Sequence, residues 1–138
     1  MWRILLVAMF VAGCAQVPAN PEYLRDTTFQ TLPDRSVIYV VRTPIDSGES
    51  SGLILDEHVQ FTTLPGSFYR WEVAPGTHRV AGFASASESV TLTTAPGGIY
   101  FLEHTVLGNP RDGVLVSRLR QVGAPEGRAM VARSYPRL

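Results

Sequence analysis

Three histidines, a serine beside a Pro-Gly pair and several glutamates are the side chains of this 138-residue chain best suited to chemistry. His58, His78 and His104 invite a metal, but zinc ligands cluster, with histidines three to five residues apart. Here the gaps are twenty and twenty-six residues, so no metal site is expected. His78 closely follows Pro75 and Gly76, a structural turn in which its ring is expected to bond backbone. His104 shares strand parity with Tyr100, Leu102 and Val106, which predicts a satisfied, half-buried imidazole. Ser67 follows Pro65-Gly66, without the Gly-x-Ser-x-Gly elbow that presents a nucleophile. Glu72, Glu88 and Glu103 could supply paired carboxylates, yet Glu72 and Glu103 lie between apolar strand neighbours and are expected to face solvent. The expectation is a protein that is no enzyme, with no catalytic residues and no metal.

The charged groups constrain the partner. Twelve basic residues, all arginine, balance twelve acids. That balance disfavours nucleic acid, which needs a cationic excess, and the lack of lysine leaves no Schiff-base nucleophile. Arg118 and Arg120 share one strand face, and Arg128 and Arg133 fall in a helical stretch. Arg118, Arg120 and Arg128 are candidate contacts for peptidoglycan carboxylates, lipid phosphates or an acidic envelope protein. The competing reading is a solvated face paired to Asp and Glu.

The single cysteine, Cys14, permits no internal disulfide. It ends an uncharged run that follows Met1-Trp2-Arg3, the layout of a secretory signal peptide. Nine residues, Ile4 to Ala12, are too few for a membrane-spanning helix, which needs about 20. Val11-Ala12-Gly13-Cys14 resembles the lipobox of bacterial lipoproteins. The resemblance implies cleavage before Cys14, a diacylglyceryl group on its thiol and an N-acyl chain on its amine, with no other cofactor. One acyl chain binds membranes marginally and two or three hold firmly, so such a tail would serve as the anchor. An ordinary cleaved signal, with cleavage after Ala15, is the alternative. Ala15 after the cysteine resembles the outer-membrane pattern of enterobacterial lipoproteins, which implies a periplasm-facing location.

The elements that must position these residues are strands. Residues 1–13 read as the signal peptide, 14–35 as lipidated cysteine and proline-containing tether, and 36–138 as the folded domain. "SVIYVVR" (36–42) is apolar on both parities, as a central strand covered on both faces requires. "GLILDEHVQFTTL" (52–64) divides into two short strands about a turn at 56–58. "SFYRWEVA" (67–74) places Tyr69, Trp71 and Val73 on one face, with Arg70 and Glu72 on the other. Strands follow over 77–84, 88–94, 98–106 and 114–122, with Trp71 and Phe101 expected in the core. Pro65-Gly66, Pro75-Gly76 and Pro96-Gly97 suit the central positions of type II turns. "PEGRAMVARS" (125–134) reads as one short helix. This spacing predicts an all-β, antiparallel sandwich of about seven or eight strands. The loops 43–51 and 107–113 are its candidate contact surfaces.

Residues 37–131 resemble the domain-of-unknown-function family 2846, through "VIYVVR", "LILDEHVQFTTLPGSFYRWEVAPGTHRV", "GGIYFLEHTV" and "LRQVGAPEGRAMV". Members carry glycine in the turn where this chain has Glu57. The segment around "DEHVQFTTL" and "VAPGTHRV" is also similar to PEGA-type β modules. Both resemblances imply an immunoglobulin-like or PEGA-like sandwich in the cell envelope, and neither implies catalytic residues. The combined expectation is a lipid-anchored, non-catalytic binding or accessory module. Its alternatives are a subunit of an envelope assembly and a metal-binding enzyme.

Overall fold

The computed structural model describes residues 28–44, 49–109, 111 and 113–136. Cys14, the rest of the lipobox and parts of the loops 43–51 and 107–113 lie outside the described residues. The described chain forms strands β1 (Ser36–Arg42), β2 (Ser51–Leu55), β3 (Val59–Thr63), β4 (Ser67–Val73), β5 (Gly76–Gly82) and β6 (Ser89–Thr94). Strands β7 (Ile99–Asn109) and β8 (Val114–Val122), helix α1 (Ala124–Ala132) and the short strand β9 (Tyr135–Pro136) complete it.

Two sheets face each other, one ordered β8-β7-β1-β4-β9 and the other β3-β2-β5-β6. The expected antiparallel pairing fails at two places: β1 runs parallel to β7, and β9 parallel to β4. Parallel neighbours need a long crossover. Here the second sheet supplies it, since all of β2, β3, β5 and β6 lies between β1 and β7 in sequence. Strand patterning reports which face a residue occupies and not the direction of its neighbour, so this feature had no local signal.

β1 is buried at every position, as its doubly apolar sequence requires. Ile38 and Val40 point between the sheets, where they meet Leu53, Leu55, Phe61, Val80, Leu92 and Leu102. Val37, Tyr39 and Val41 point the other way, into a second core with Phe68, Phe101, Val122, Met130 and Val131. Burying each such side chain contributes about 1.5–3 kcal/mol.

Helix α1 covers this second core because Gly127, Met130 and Val131 sit at i, i+3 and i+4, on one face. Gly127 lets the helix descend onto β7: a Cβ there would lie 2.1 Å from Phe101 Cγ. Phe29 and Leu32, in the segment expected to be tether, pack beside the helix, with the Phe29 ring 5.5 Å from Tyr39 and 5.9 Å from Phe101. Packed structure therefore begins before β1.

The turns differ in kind. Gly66 and Gly97 take φ of 71° and 74°, as type II turns need. Gly76 does not: its φ is 146°, and it is already the first residue of β5, paired with Thr94. At the β2–β3 turn Asp56 and Glu57 are left-handed, with φ of 48° and 66°. Glu57 thus holds the conformation that glycine holds at least cost.

Asp56 compensates through its side chain, accepting the Arg79 N–H at 2.8 Å and facing His78 Nδ1 at 2.6 Å. Burial pushes this carboxyl up, but the His78 bond, the Arg79 N–H and the nearby imidazoles of His78 and His58 outweigh it and hold the pKa below 3.8. A depressed carboxyl contributes stability that is present above its unfolded pKa and lost as pH falls through the folded value. The melting-temperature gap between wild type and Asp56→Asn is therefore expected to be full near pH 6 and to shrink below about pH 4. A gap that widens as acid is added would contradict this.

Candidate functional site

β1 and β7 run parallel, so their C-terminal halves, together with the start of β2, gather at one end of the sandwich. Both loops expected to make contacts open there, and Ser50, Ser51 and Gly113 line the same groove. Inside this end lies a polar chain that the apolar pattern of β1 gave little reason to expect. Arg42, on the parity of Ile38 and Val40, is completely buried. It donates to the carbonyl oxygens of Thr63 and Glu49, and to Thr63 Oγ1 at 3.2 Å. Thr63 Oγ1 is 2.9 Å from His104 Nδ1, and His104 Nε2 is 2.8 Å from Ser117 Oγ. Ser117 Oγ lies 3.3 Å from Ser51 Oγ.

A guanidinium only donates, so Thr63 Oγ1 accepts from Arg42 and has one proton to give. If that proton goes to Nδ1, the Nε2–H of His104 donates to Ser117, Ser117 donates to Ser51, and the Ser51 proton faces outward. If it goes instead to the Ser51 carbonyl, 3.3 Å away, the chain reverses and Ser51 offers lone pairs outward. Ser51 thus donates or accepts according to the His104 tautomer.

The Ser117–His104 contact has the spacing of a nucleophile and its base. On the Nδ1 side of His104, where a catalytic histidine has a group that orients it, the described chain continues to a threonine hydroxyl already bonded to a buried guanidinium. Ser117 is also 1% exposed. The arrangement ties the two sheets together and orients surface hydroxyls.

Above Ser51 and Ser117 lies a groove of about 450 Å³ whose other walls include Phe83, Ser85 and Leu115. Phe83 is 54% exposed. It follows β5 directly opposite Gly52, as the register Leu53↔Gly82 dictates. A Cβ on Gly52 would fall 2.2 Å from the Phe83 ring, so the missing side chain makes the seat on which this ring rests. Segment 87–88 closes the side: Ser87 Oγ accepts the Ser117 N–H and the Glu88 N–H donates to the Ser117 carbonyl.

The residues singled out by type alone are dispersed. His104 is fully buried, not half-buried, and His58 is exposed at the β2–β3 turn. His78 Nε2 bonds the Ala74 carbonyl at 2.6 Å while Nδ1 faces Asp56, and Trp71 meets its ring edge-on. Pro75 and Gly76 lead into this strand. Among the described residues no three His, Cys, Asp or Glu side chains are grouped to hold a metal ion. Ser67 bonds its own turn through Leu64, Glu72 pairs with Arg70, and Glu103 pairs with Arg120. Glu72 and Glu103 therefore face partners at the sheet surface and not open solvent.

The arginines do not form one row. Arg118 Nε is 3.9 Å from Glu88, whereas Arg120 reaches Glu103 at 3.1 Å and Glu126 of α1 at 2.9 Å. Those two carboxylates hold the Arg120 pKa above its ordinary value. Arg128 lies over the Phe29 ring, 5.5 Å from its centre, and Arg133 Nε donates to the Ala129 carbonyl.

Arg42, Ser51, Thr63, Phe83 and Ser117 escaped a reading by residue type. Arg42 alone left a trace, as a charge on the inward parity of an otherwise apolar strand. No family model matches the chain, and no curated protein matches it.

Proposed function

We propose that this chain is a lipid-anchored envelope lipoprotein whose sandwich, immunoglobulin-like or PEGA-like in type, is a non-catalytic binding module. Its contact face is the loop end. Residues 11–14 and the preceding apolar run support the anchor, through acyl chains on Cys14. A likeness of residues 37–131 to family 2846, expected from the sequence although no family model matches the chain, would agree with that location. The single observation that supports binding over catalysis is the Thr63 hydroxyl, shared by the Arg42 guanidinium and His104, on the Nδ1 side of the imidazole. Confinement to a leaflet raises the effective concentration of the module toward neighbouring envelope components, so a modest intrinsic affinity suffices.

Two measurements test this reading. Cys14→Ser is expected to lose acyl labelling and to move the protein from the membrane pellet to the soluble fraction, with an unchanged far-UV circular dichroism spectrum. Continued pelleting of that variant defeats the anchor. A photo-crosslinking residue at Ser85, in the groove, is expected to give a discrete envelope adduct, and one at Arg128 is not. Equal labelling from both positions defeats the assignment of the contact face.

An assembly role is the second reading, and one observation favours it. Among the described residues, β4 pairs beyond β1 with β9 alone, at Ser67 and Phe68, so the stretch 69–73 lies at an edge of the described sheet, with the Glu72 carbonyl accepting from Arg35. Such an edge is a template for strand addition. A stable oligomer in size measurement would favour it.

A further inference from the structure

The groove over Ser51 and Ser117 has the lining of a carbohydrate subsite, and we infer that it binds one ring of an uncharged oligosaccharide with Phe83 as the stacking platform. This inference rests on the loop end being the contact face and adds the ligand class. Three features select that chemistry.

The first is the platform. Exposed aromatic rings are often mobile, but Phe83 is held by its seat on Gly52, so little side-chain freedom is lost on binding. A sugar ring offers an apolar C–H face of matching size, and an aromatic ring buries it without needing a charge.

The second is the character of the described lining, which includes Ser50, Ser51, Ser85 and Ser117 together with Phe83, Leu115 and small residues. Among the described residues no ionisable side chain lines the groove, so none of them compensates a phosphate, carboxylate or ammonium group. The buried Arg42 donates to Thr63 and to the Glu49 carbonyl and is not one of these lining residues.

The third is the switchable hydroxyl. A sugar hydroxyl both donates and accepts, and Ser51 can answer either way because the chain through Ser117, His104 and Thr63 is reversible. A rigid donor or acceptor would recognise one polarity only. The volume, about 450 Å³, falls within the range of small-ligand sites. The other clefts fit less well. The one under the end of α1 is bordered by Glu103, Glu126 and Arg133, and two of those charges already engage Arg120.

The test is calorimetric titration of the full chain, held in a detergent without a sugar headgroup, with chitotriose and with maltotriose. Aromatic NMR of the same samples follows Phe83. Saturable binding of at least one of the two sugars is expected, with the Phe83 ring resonances shifted. Phe83→Leu keeps an apolar cover over Gly52 and removes the π face, so affinity is expected to fall roughly tenfold. Phe83→Trp is expected to retain binding, and Ser51→Ala to weaken it. Thermal melts of each variant separate loss of binding from loss of fold.

Failure of both sugars to saturate overturns the inference, as does a folded Phe83→Leu variant that binds as well as wild type. If the sugars fail while the Ser85 crosslink persists, the ligand class is wrong and the binding module stands. If both are blank, the contact face itself is wrong.

Discussion

Arg42→Ala is expected to lower the folding free energy by about 3–5 kcal/mol, among the largest effects of any single truncation in this domain. Removing the guanidinium empties a large volume at the end of the core. It also strips a donor from the Thr63 and Glu49 carbonyl oxygens and from Thr63 Oγ1. Buried acceptors left without donors cost about 1–3 kcal/mol each before relaxation or water entry recovers some of it. Domains of this size have only about 5–15 kcal/mol in total, so the variant is expected to unfold at markedly lower urea.

Arg42→Lys supplies a control. It restores the charge but not the planar fork that reaches two backbone carbonyls and a hydroxyl, so it is expected to recover only part of the loss. Urea unfolding followed by far-UV circular dichroism measures both. Wild-type stability in Arg42→Ala would mean that the chain from Arg42 to Ser51 does not hold this end together.

Gly127→Ala gives the second large effect, and here two principles disagree in sign. Replacing glycine by alanine inside a helix normally stabilises it by about 1 kcal/mol. At this position the new Cβ would lie 2.1 Å from Phe101 Cγ and 2.5 Å from its Cβ and Cδ1. Phe101 has little room to retreat, being stacked on Tyr39 at 5.2 Å and flanked by Phe29. The helix must lift or the aromatic cluster must repack, and such overpacking costs about 1–3 kcal/mol and occasionally more. Sterics win, and a net loss of about 2 kcal/mol is expected, which lowers the melting temperature by roughly 8–16 °C in a domain near 100 residues. Gly127→Ala combined with Phe101→Leu should recover part of that loss if the clash is its cause. A midpoint at or above wild type for Gly127→Ala alone would show that propensity outweighs the contact.

Much of the element order was legible in the chain because strands and turns are local. The β-branched run at 36–42 announced a strand covered on both faces, and Pro65-Gly66 and Pro96-Gly97 announced turns whose glycines take positive φ. In 89–94 Leu92 and Thr94 are buried and Ser89, Thr91 and Thr93 exposed, the alternation that the two faces of a strand impose. Pro75-Gly76 misled because the same dipeptide can enter a strand as well as turn a chain. Glu57 was opaque for a related reason: its left-handed backbone is held by what Asp56 receives from β5, which no neighbour in sequence reveals.

Alone, the sequence determined the strands, most of the turns between them and the one short helix, since each depends on residues within a turn or two of one another. The tertiary structure decided the rest. Only the parallel pairing of β1 with β7, across an intervening sheet, brings Arg42, Thr63, His104 and Ser117 to one buried hydroxyl-and-imidazole chain. Only the cross-strand register of β2 and β5 sets Phe83 on Gly52 beside it. Hydrogen bonds and ring contacts act over a few ångströms, and residues tens of positions apart come that close only after the sheets have closed.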